Sequence, residues 1–251
     1  KDIPLNSSIA AFGSTRHKNT PVSADEGLIK LLSAETQYVS IFGKANAEDV
    51  RSVLGTTLDE NLRMIYESVQ LLVSQGRRVI FDAEHFFDGY IEDSEYALAA
   101  ITAAHEGGAQ TICLCDTNGG RLPSEIYDIA SRLKETGFNL GIHAHDDIGC
   151  GVANTLSAVQ AGFNHVQGTL LGMGERCGNA NLSAIIPTLM LKLGMDCIPQ
   201  QKLRLLTKQA RTVAEIANVL LPANLPYIGK MAFAHKAGMH IDALSKRQGA
   251  F

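Results

Sequence analysis

In the stretch Leu140-Gly141-Ile142-His143-Ala144-His145-Asp146-Asp147, two imidazoles stand two residues apart in an apolar run. On a strand, residues i and i+2 share a face, so His143 and His145 point the same way. Neutral imidazole is a common ligand of zinc and similar divalent ions, with acidic neighbours to complete the site. The plainer reading is two unrelated histidines at a strand end. Asp82 and Glu84 form a second pair on one strand face. Carboxylates this close repel, and crowding with desolvation pushes at least one pKa upward, as a general acid or base requires. The alternative is an ion pair with a strand-end Lys or Arg. Thr117, within Asp116-Thr117-Asn118-Gly119-Gly120, offers a short hydroxyl suited to a substrate carboxylate, although the same segment reads as a turn and N-cap. In Gly172-Met173-Gly174-Glu175-Arg176-Cys177-Gly178-Asn179, the glycines let backbone approach a ligand closely and present N–H groups to anions. Gly172, Gly174 and Asn179 are therefore candidate binders of the phosphates or pantetheine amides of a large cofactor. The Asn179 carbonyl oxygen also reaches toward a metal, Glu175 and Arg176 pair with each other, and a bland loop is the alternative.

These residues need a scaffold that brings them together. Short β-rich runs recur at Ser8–Phe12, Tyr38–Phe42, Arg78–Phe81, Thr111–Cys115, Asn139–His143 and His165–Leu170, with amphipathic helical patterns between them at Asn61–Ser74, Ser94–Glu106, Ser124–Thr136 and Gly151–Ala161. Alternation of this kind forces parallel strands with right-handed crossovers, in an open doubly wound sheet or a closed barrel. Polar residues sit at nearly every strand end, among them Arg16, Lys44, Asp82, Glu84, Asp116, Thr117 and His143. In a barrel those ends ring one mouth, whereas an open sheet gathers only the ends near a switch point. No glycine fingerprint of a dinucleotide fold follows the first strand. The expected fold is an α/β TIM (β/α)8 barrel with its first two βα units missing from the chain, followed by a small C-terminal helical appendage. Residues 1–196 form the partial barrel, and 197–251 form a linker helix and the start of a lid-like subdomain. There the spacing His235-x4-His240-x-Asp242 makes little sense as core.

Composition narrows the function classes. The 251 residues are 45% hydrophobic, enough for a sizeable core. The net charge of −4 comes from interspersed acids and bases, with no basic block to meet nucleic acid or a membrane surface, so small molecules are the expected partners. The five cysteines are odd in number and irregular in spacing, which suits reduced thiols; Cys113 and Cys115 read as core residues more readily than as a metal pair. No apolar run reaches membrane-spanning length and no signal-peptide pattern opens the chain, so a cytoplasmic enzyme is expected.

Taken together, Phe12-Gly13-Ser14-Thr15-Arg16, the run Phe81-Asp82-Ala83-Glu84-His85-Phe86-Phe87-Asp88-Gly89-Tyr90, Leu114 to Gly120, His143-x-His145, Gly172 to Asn179 and Phe233 to Asp242 resemble the citramalate synthase and 2-isopropylmalate synthase family, over nearly the whole chain and in the family's order. The Phe81–Tyr90 run is similar to the citramalate synthase branch. The resemblance implies a TIM-barrel acyltransferase that condenses acetyl-CoA with a 2-oxo acid, above all pyruvate to give (R)-citramalate for isoleucine synthesis, with a divalent metal (Zn, Mn or Mg). It implies His143 and His145 as metal ligands, Asn179 at or near the metal, and Glu84 as a catalytic glutamate. It further implies that Thr117, with Arg16 and Asp82, binds substrate. His240 and Asp242 become a catalytic pair for the acetyl methyl proton, on an appendage that reaches a partner subunit, so that a homodimer is expected. Two departures stand out. The family's first strand carries an arginine and a metal-binding aspartate that have no equivalent before Ser8, which predicts an inactive or nearly inactive chain. Asp146 stands where the family has Asn, and either alters the metal or faces the N-terminus of the following helix. The alternatives are 2-isopropylmalate synthase or homocitrate synthase, a metal-dependent aldolase or lyase on the same barrel, and a non-catalytic remnant.

Overall fold

The computed structural model describes residues 7–235 and 237–247, without the side chains of 240, 241, 243 and 244. The chain gathers into two compact units, one comprising the residues up to Thr169 with Gly174–Ala180, the other Leu170–Met173 with the residues from Asn181 onward.

The first unit alternates strands and helices: β1 (Ala10–Ser14), α1 (Glu26–Ser33), β2 (Tyr38–Lys44), α2 (Ala47–Asp49), α3 (Leu58–Ser74), β3 (Arg78–Glu84), α4 (Phe86–Glu92), α5 (Ser94–Glu106), β4 (Thr111–Asp116), α6 (Pro123–Leu133), β5 (Leu140–Ala144), α7 (Gly151–Ala161) and β6 (His165–Gln167). Helix starts are fixed by local chemistry. The side chains of Asp25, Thr57 and Asp93 accept from the N–H groups of Leu28, Glu60 and Tyr96, and Glu125 reaches back to Leu122 N at 2.7 Å with Pro123 opening α6. Among the described residues, the six strands of the sheet are parallel and their order in the sheet is their order in sequence. A doubly wound sheet reverses order at a switch point; an uninterrupted sequential order is an arc of a barrel. The side chain of Gln167 on β6 bonds Asp82 on β3 although two strands lie between them, so the sheet curls around that link.

Register divides the sheet into two faces. Val39, Ile41, Val79, Phe81, Ala83, Ile112, Leu114 and Ile142, aligned by pairings such as Ile41↔Phe81↔Ile112, are at most 1% exposed and form the main core with the helices. The opposite, concave face carries polar groups: Phe42 pairs Asp82, Asp82 pairs Cys113, Cys113 pairs Gly141 and Gly141 pairs His165, with Lys44↔Glu84 and Cys115↔His143↔Gln167 one layer above. The sequence placed Lys44, Asp82 and Glu84 beyond their strands; the ladders run through them, because backbone pairing is indifferent to which face bears charge. At the other end, β6 stops at Gln167, three residues short of the expected Leu170.

Gly141 is needed where it stands, since a Cβ there would lie 2.7 Å from the His165 ring. His165 Nε2 is buried with no hydrogen-bond partner, and burial lowers the imidazole pKa despite the attraction of Asp82. Below the unfolded value of about 6.5 the unfolded chain therefore binds a proton that the folded chain resists. We expect stability to fall as pH drops from 6.5 toward the folded pKa, and His165→Leu to flatten that slope, as read from melting temperatures at pH 7.5 and 5.5; an unaltered slope would refute the assignment.

The second unit is helical, with α8 (Leu182–Lys192), α9 (Gln200–Leu203), α10 (Leu206–Ile216) and α11 (Gly238–Lys246). The helix expected over Leu203–Leu220 is broken at Arg204–Leu205 and ends at Ile216. The Thr188 and Tyr227 hydroxyls meet at 3.0 Å. Among the described residues, no helix is long and apolar enough to cross a membrane.

Candidate active site at the mouth of the sheet

The C-terminal ends of the strands open on a cavity of about 350 Å³ lined by Asp82, Glu84, Cys115, Thr117, His143, His145, Gln167 and Arg176, with Phe12 and Phe42 as an apolar wall. The two imidazoles share a face, their ring centroids 5.1 Å apart. Burial, then the positive charges of His143 and Arg176, lower the pKa of His145 and favour the neutral ring that ligates metals. Among the described residues, no three or more His, Cys, Asp or Glu side chains are grouped to hold a metal ion. Two imidazoles facing one cavity fit part of a divalent-metal site, with oxygen ligands still to be supplied.

Each of the other expected residues has a definite place. Glu84 forms an ion pair with Lys44 at 2.8 Å, the alternative weighed from sequence, and it still lines the cavity. Burial, rather than a neighbouring carboxylate, raises the pKa of Asp82, which accepts from Ser40 Oγ at 2.6 Å and Gln167 Nε2 at 2.7 Å. Those bonds bind Asp82 into the barrel wall. Thr117 Oγ1 accepts from the backbone N–H of His85 at 2.8 Å, which turns the hydroxyl proton away from that bond and leaves it to donate. His85 adopts a left-handed conformation (φ 57°) to make the contact.

Arg16 is drawn elsewhere. Its side chain is 6% exposed and salt-bridged to Glu60 and Glu67 of α3, both at 2.7 Å, on the wall of a separate cavity of about 480 Å³. Two carboxylates on a neighbouring helix outcompete the mouth for this guanidinium. Cys113 and Cys115 are buried, and burial pushes the Cys113 thiol well up.

The loop Gly174–Ala180 is stitched to the end of β5 by Asp146 N to Gly178 O at 3.0 Å, Ala180 N to Ala144 O at 2.8 Å and a bridge between His145 and Asn179. This holds Asn179 beside the histidines. Gly174 leaves room for the Asn179 carboxamide, which a Cβ there would force to shift. Gly172 lies in the second unit. Arg176 corrects an expectation: its hydrogen bonds go to Asp147 at 2.7 and 2.9 Å, to Thr117 O at 2.7 Å and to His145 Nδ1 at 2.7 Å, in place of an exclusive pair with Glu175. Its left-handed φ of 51° turns the side chain toward β5. Asp146 Oδ1 accepts from Gly151 N at 2.6 Å and so caps the N-terminus of α7. Asp242, in the second unit, pairs with Lys246 one turn on at 2.6 Å, and the His240 side chain lies outside the described set. Ser40 and Gln167 went unnoticed in the sequence, although Ser40 stands in strand phase with Lys44.

A sequentially ordered parallel α/β arc with its reactive groups at the carboxyl ends of the strands defines an enzyme scaffold of the TIM-barrel type. The chain belongs to the HMGL-like family, whose profile it matches over residues 3–213. It is 55% identical to an (R)-citramalate synthase of Aquifex aeolicus, over 96% of this chain and 46% of that protein. With an (R)-citramalate synthase of Synechocystis it shares 48%, over 95% of this chain and 45% of that one. A 2-isopropylmalate synthase of Cronobacter sakazakii is 33% identical, over 97% of this chain and 46% of its own. The chain thus spans about half the length of these curated relatives. Among solved structures, an HMG-CoA lyase of Bacillus subtilis superposes with a TM-score of 0.71 at 21% identity, covering 88% of this chain and 74% of that one, a likeness of fold.

Proposed function

We propose that this chain carries the catalytic barrel of an acyltransferase that condenses acetyl-CoA with pyruvate to give (R)-citramalate and free CoA. The observation that carries the reading is the convergence of Glu84, Thr117, His143 and His145, from the ends of three strands, on one cavity. The choice of pyruvate over a larger 2-oxo acid rests on similarity: 55% identity to a citramalate synthase against 33% to a 2-isopropylmalate synthase. His143 and His145 would hold a divalent metal with Asn179 beside them, and such a metal, when bound, polarises the carbonyl of a 2-oxo acid. The Thr117 hydroxyl, its oxygen engaged by His85 N–H, donates to the substrate carboxylate. Glu84 moves a proton at the reacting carbons or the new alkoxide. His240 and Asp242 are assigned to removal of the acetyl methyl proton, and Gly172, Gly174 and Asn179 to the backbone that receives CoA. Arg16, from its place against α3, supports the wall rather than the substrate.

To the same proposal belong a closed eight-stranded barrel with two further strands, a functional division into residues 1–196 and a lid-like 197–251, a homodimer and a cytoplasmic location. The barrel closure is supported by the sequential six-strand arc and by Phe12, 67% exposed on the concave face of β1.

The test is release of free CoA by the purified full-length protein with a panel of 2-oxo acids. Pyruvate is expected to give the highest kcat/KM; release of CoA with none of them would sink the reading, and preference for a branched oxo acid would move it to 2-isopropylmalate synthesis. Gly174→Ala is expected to lower kcat/KM about 100-fold by displacing Asn179, since misplacement by about an ångström costs that much. Unchanged kinetics of that variant would remove Asn179 from the site.

A further inference from the structure

Three hydrogen bonds link four side chains across the concave face of the sheet. Ser40 Oγ on β2 donates to Asp82 Oδ2 on β3 at 2.6 Å, Gln167 Nε2 on β6 donates to Asp82 Oδ1 at 2.7 Å, and Gln167 Oε1 lies 3.1 Å from His143 Nδ1 on β5. Asp82 is 5% exposed and Ser40 7%, so water does not compete for the inner end of the chain. His143 and Gln167 are register partners, which places the imidazole and the carboxamide side by side without any long reach.

The polarity of this chain is determined by what each group is able to do. The bonds from Ser40 and Gln167 favour the ionised form of Asp82 against the effect of burial, and in that form both of its oxygens only accept. Gln167 must then turn its NH2 toward Asp82, because the flipped amide would set a carbonyl oxygen against a carboxylate oxygen. With the NH2 committed, the Gln167 carbonyl faces His143, and a carbonyl also only accepts. The hydrogen in the 3.1 Å contact must come from the imidazole, so Nδ1 is the protonated nitrogen. A neutral imidazole carries one ring hydrogen, which leaves the lone pair on Nε2.

We infer that Gln167, held in orientation by Asp82 and Ser40, is a positioning residue that fixes His143 as the Nδ1–H tautomer and so presents Nε2 as a metal-ready ligand. The inference rests on the reading of His143 as a ligand and extends it to three residues that do not themselves touch the metal. It assigns Asp82 to the positioning of a ligand in place of substrate binding. An outer partner of this kind fixes ring orientation and raises ligand basicity, and its loss typically costs about 10–100-fold in metal affinity.

The test begins with the wild-type protein, freed of metal and labelled with 15N in histidine. Long-range proton–nitrogen correlation, with the His143 signals identified by their loss in His143→Gln, is expected to show hydrogen on Nδ1 alone. Hydrogen on Nε2, or a mixture of the two forms as in free imidazole, would overturn the inference. Gln167→Leu is expected to release His143 into a mixture and to weaken zinc binding, measured without substrates, about 10–100-fold. The double variant Asp82→Asn with Gln167→Glu exchanges the two functional groups but keeps the polarity: the amide introduced at position 82 donates to the carboxylate introduced at position 167, which still accepts from Nδ1–H. It is expected to restore both the tautomer and the affinity. Gln167→Leu with the wild-type tautomer and affinity would overturn the inference even if the double variant failed to fold. A wild-type protein that holds the Nδ1–H form yet binds no zinc would sink the metal assignment, so failure of the underlying reading and failure of the relay are told apart.

Discussion

Replacing His143 with alanine is expected to abolish stoichiometric binding of a divalent metal and, with it, condensation activity. The cavity at the mouth of the sheet offers two imidazoles, and although acidic side chains also line it, among the described residues no three His, Cys, Asp or Glu side chains are grouped to hold a metal ion. Removing one therefore halves the nitrogen ligands where little else compensates. The remaining ring is also the worse placed. The Arg176 guanidinium, which only donates, points at Nδ1 of His145 from 2.7 Å and holds that lone pair, whereas His143 faces a carbonyl that leaves its Nε2 to the cavity. The loss of affinity should exceed the about 10–100-fold typical of an outer partner. His143 lies on the cavity face and outside the apolar core, so the variant should fold, and near-wild-type circular dichroism with depleted metal is the expected pair of results. Metal content unchanged in the purified variant would refute the ligand assignment.

Much of this was legible because strand chemistry is periodic. The runs around Ile41, Phe81, Leu114 and Ile142 announced strands, and the i, i+2 spacing of His143 with His145 and Asp82 with Glu84 announced a shared face. What the spacing could not give was the occupant of the facing strand. Ser40 looks incidental in Tyr-Val-Ser-Ile-Phe, and Gln167 has neither nucleophilic nor typical ligating character; their roles appear only when register sets Gln167 opposite His143 and the curl of the sheet brings it to Asp82. Arg16 stands apart for a related reason. Strand-end position suggested the mouth, but the residue stands two beyond β1, where Glu60 and Glu67 on α3 take the guanidinium. The expected Glu175–Arg176 pair assumed that neighbours in sequence meet, while a left-handed turn at Arg176 sends its side chain to Asp147 and His145.

Glu84→Gln is expected to reduce the rate of CoA release about 10²–10⁴-fold, the range for loss of a positioned acid or base, with metal affinity unchanged. The residue lines the same cavity as Thr117 and His143, and its carboxylate meets the Lys44 ammonium at 2.8 Å. That pair raises the competing explanation that Glu84 merely anchors Lys44, whose ammonium also stands 3.8 Å from Asp49. The two explanations separate in a second variant. Lys44→Met breaks the same pair from the other side, so an anchoring role predicts equal losses from the two substitutions. A proton-carrying role predicts a far smaller loss from Lys44→Met, because the carboxylate survives and needs only to be reached by substrate. The side chains are 14% exposed for Lys44 and 25% for Glu84, and the Glu84 oxygen that meets Lys44 is itself buried, so circular dichroism of both variants accompanies the rates to separate lost folding from lost chemistry. Equal rates for Glu84→Gln and wild type would remove Glu84 from the chemistry altogether, and equal losses in the two variants would reduce it to a support for Lys44.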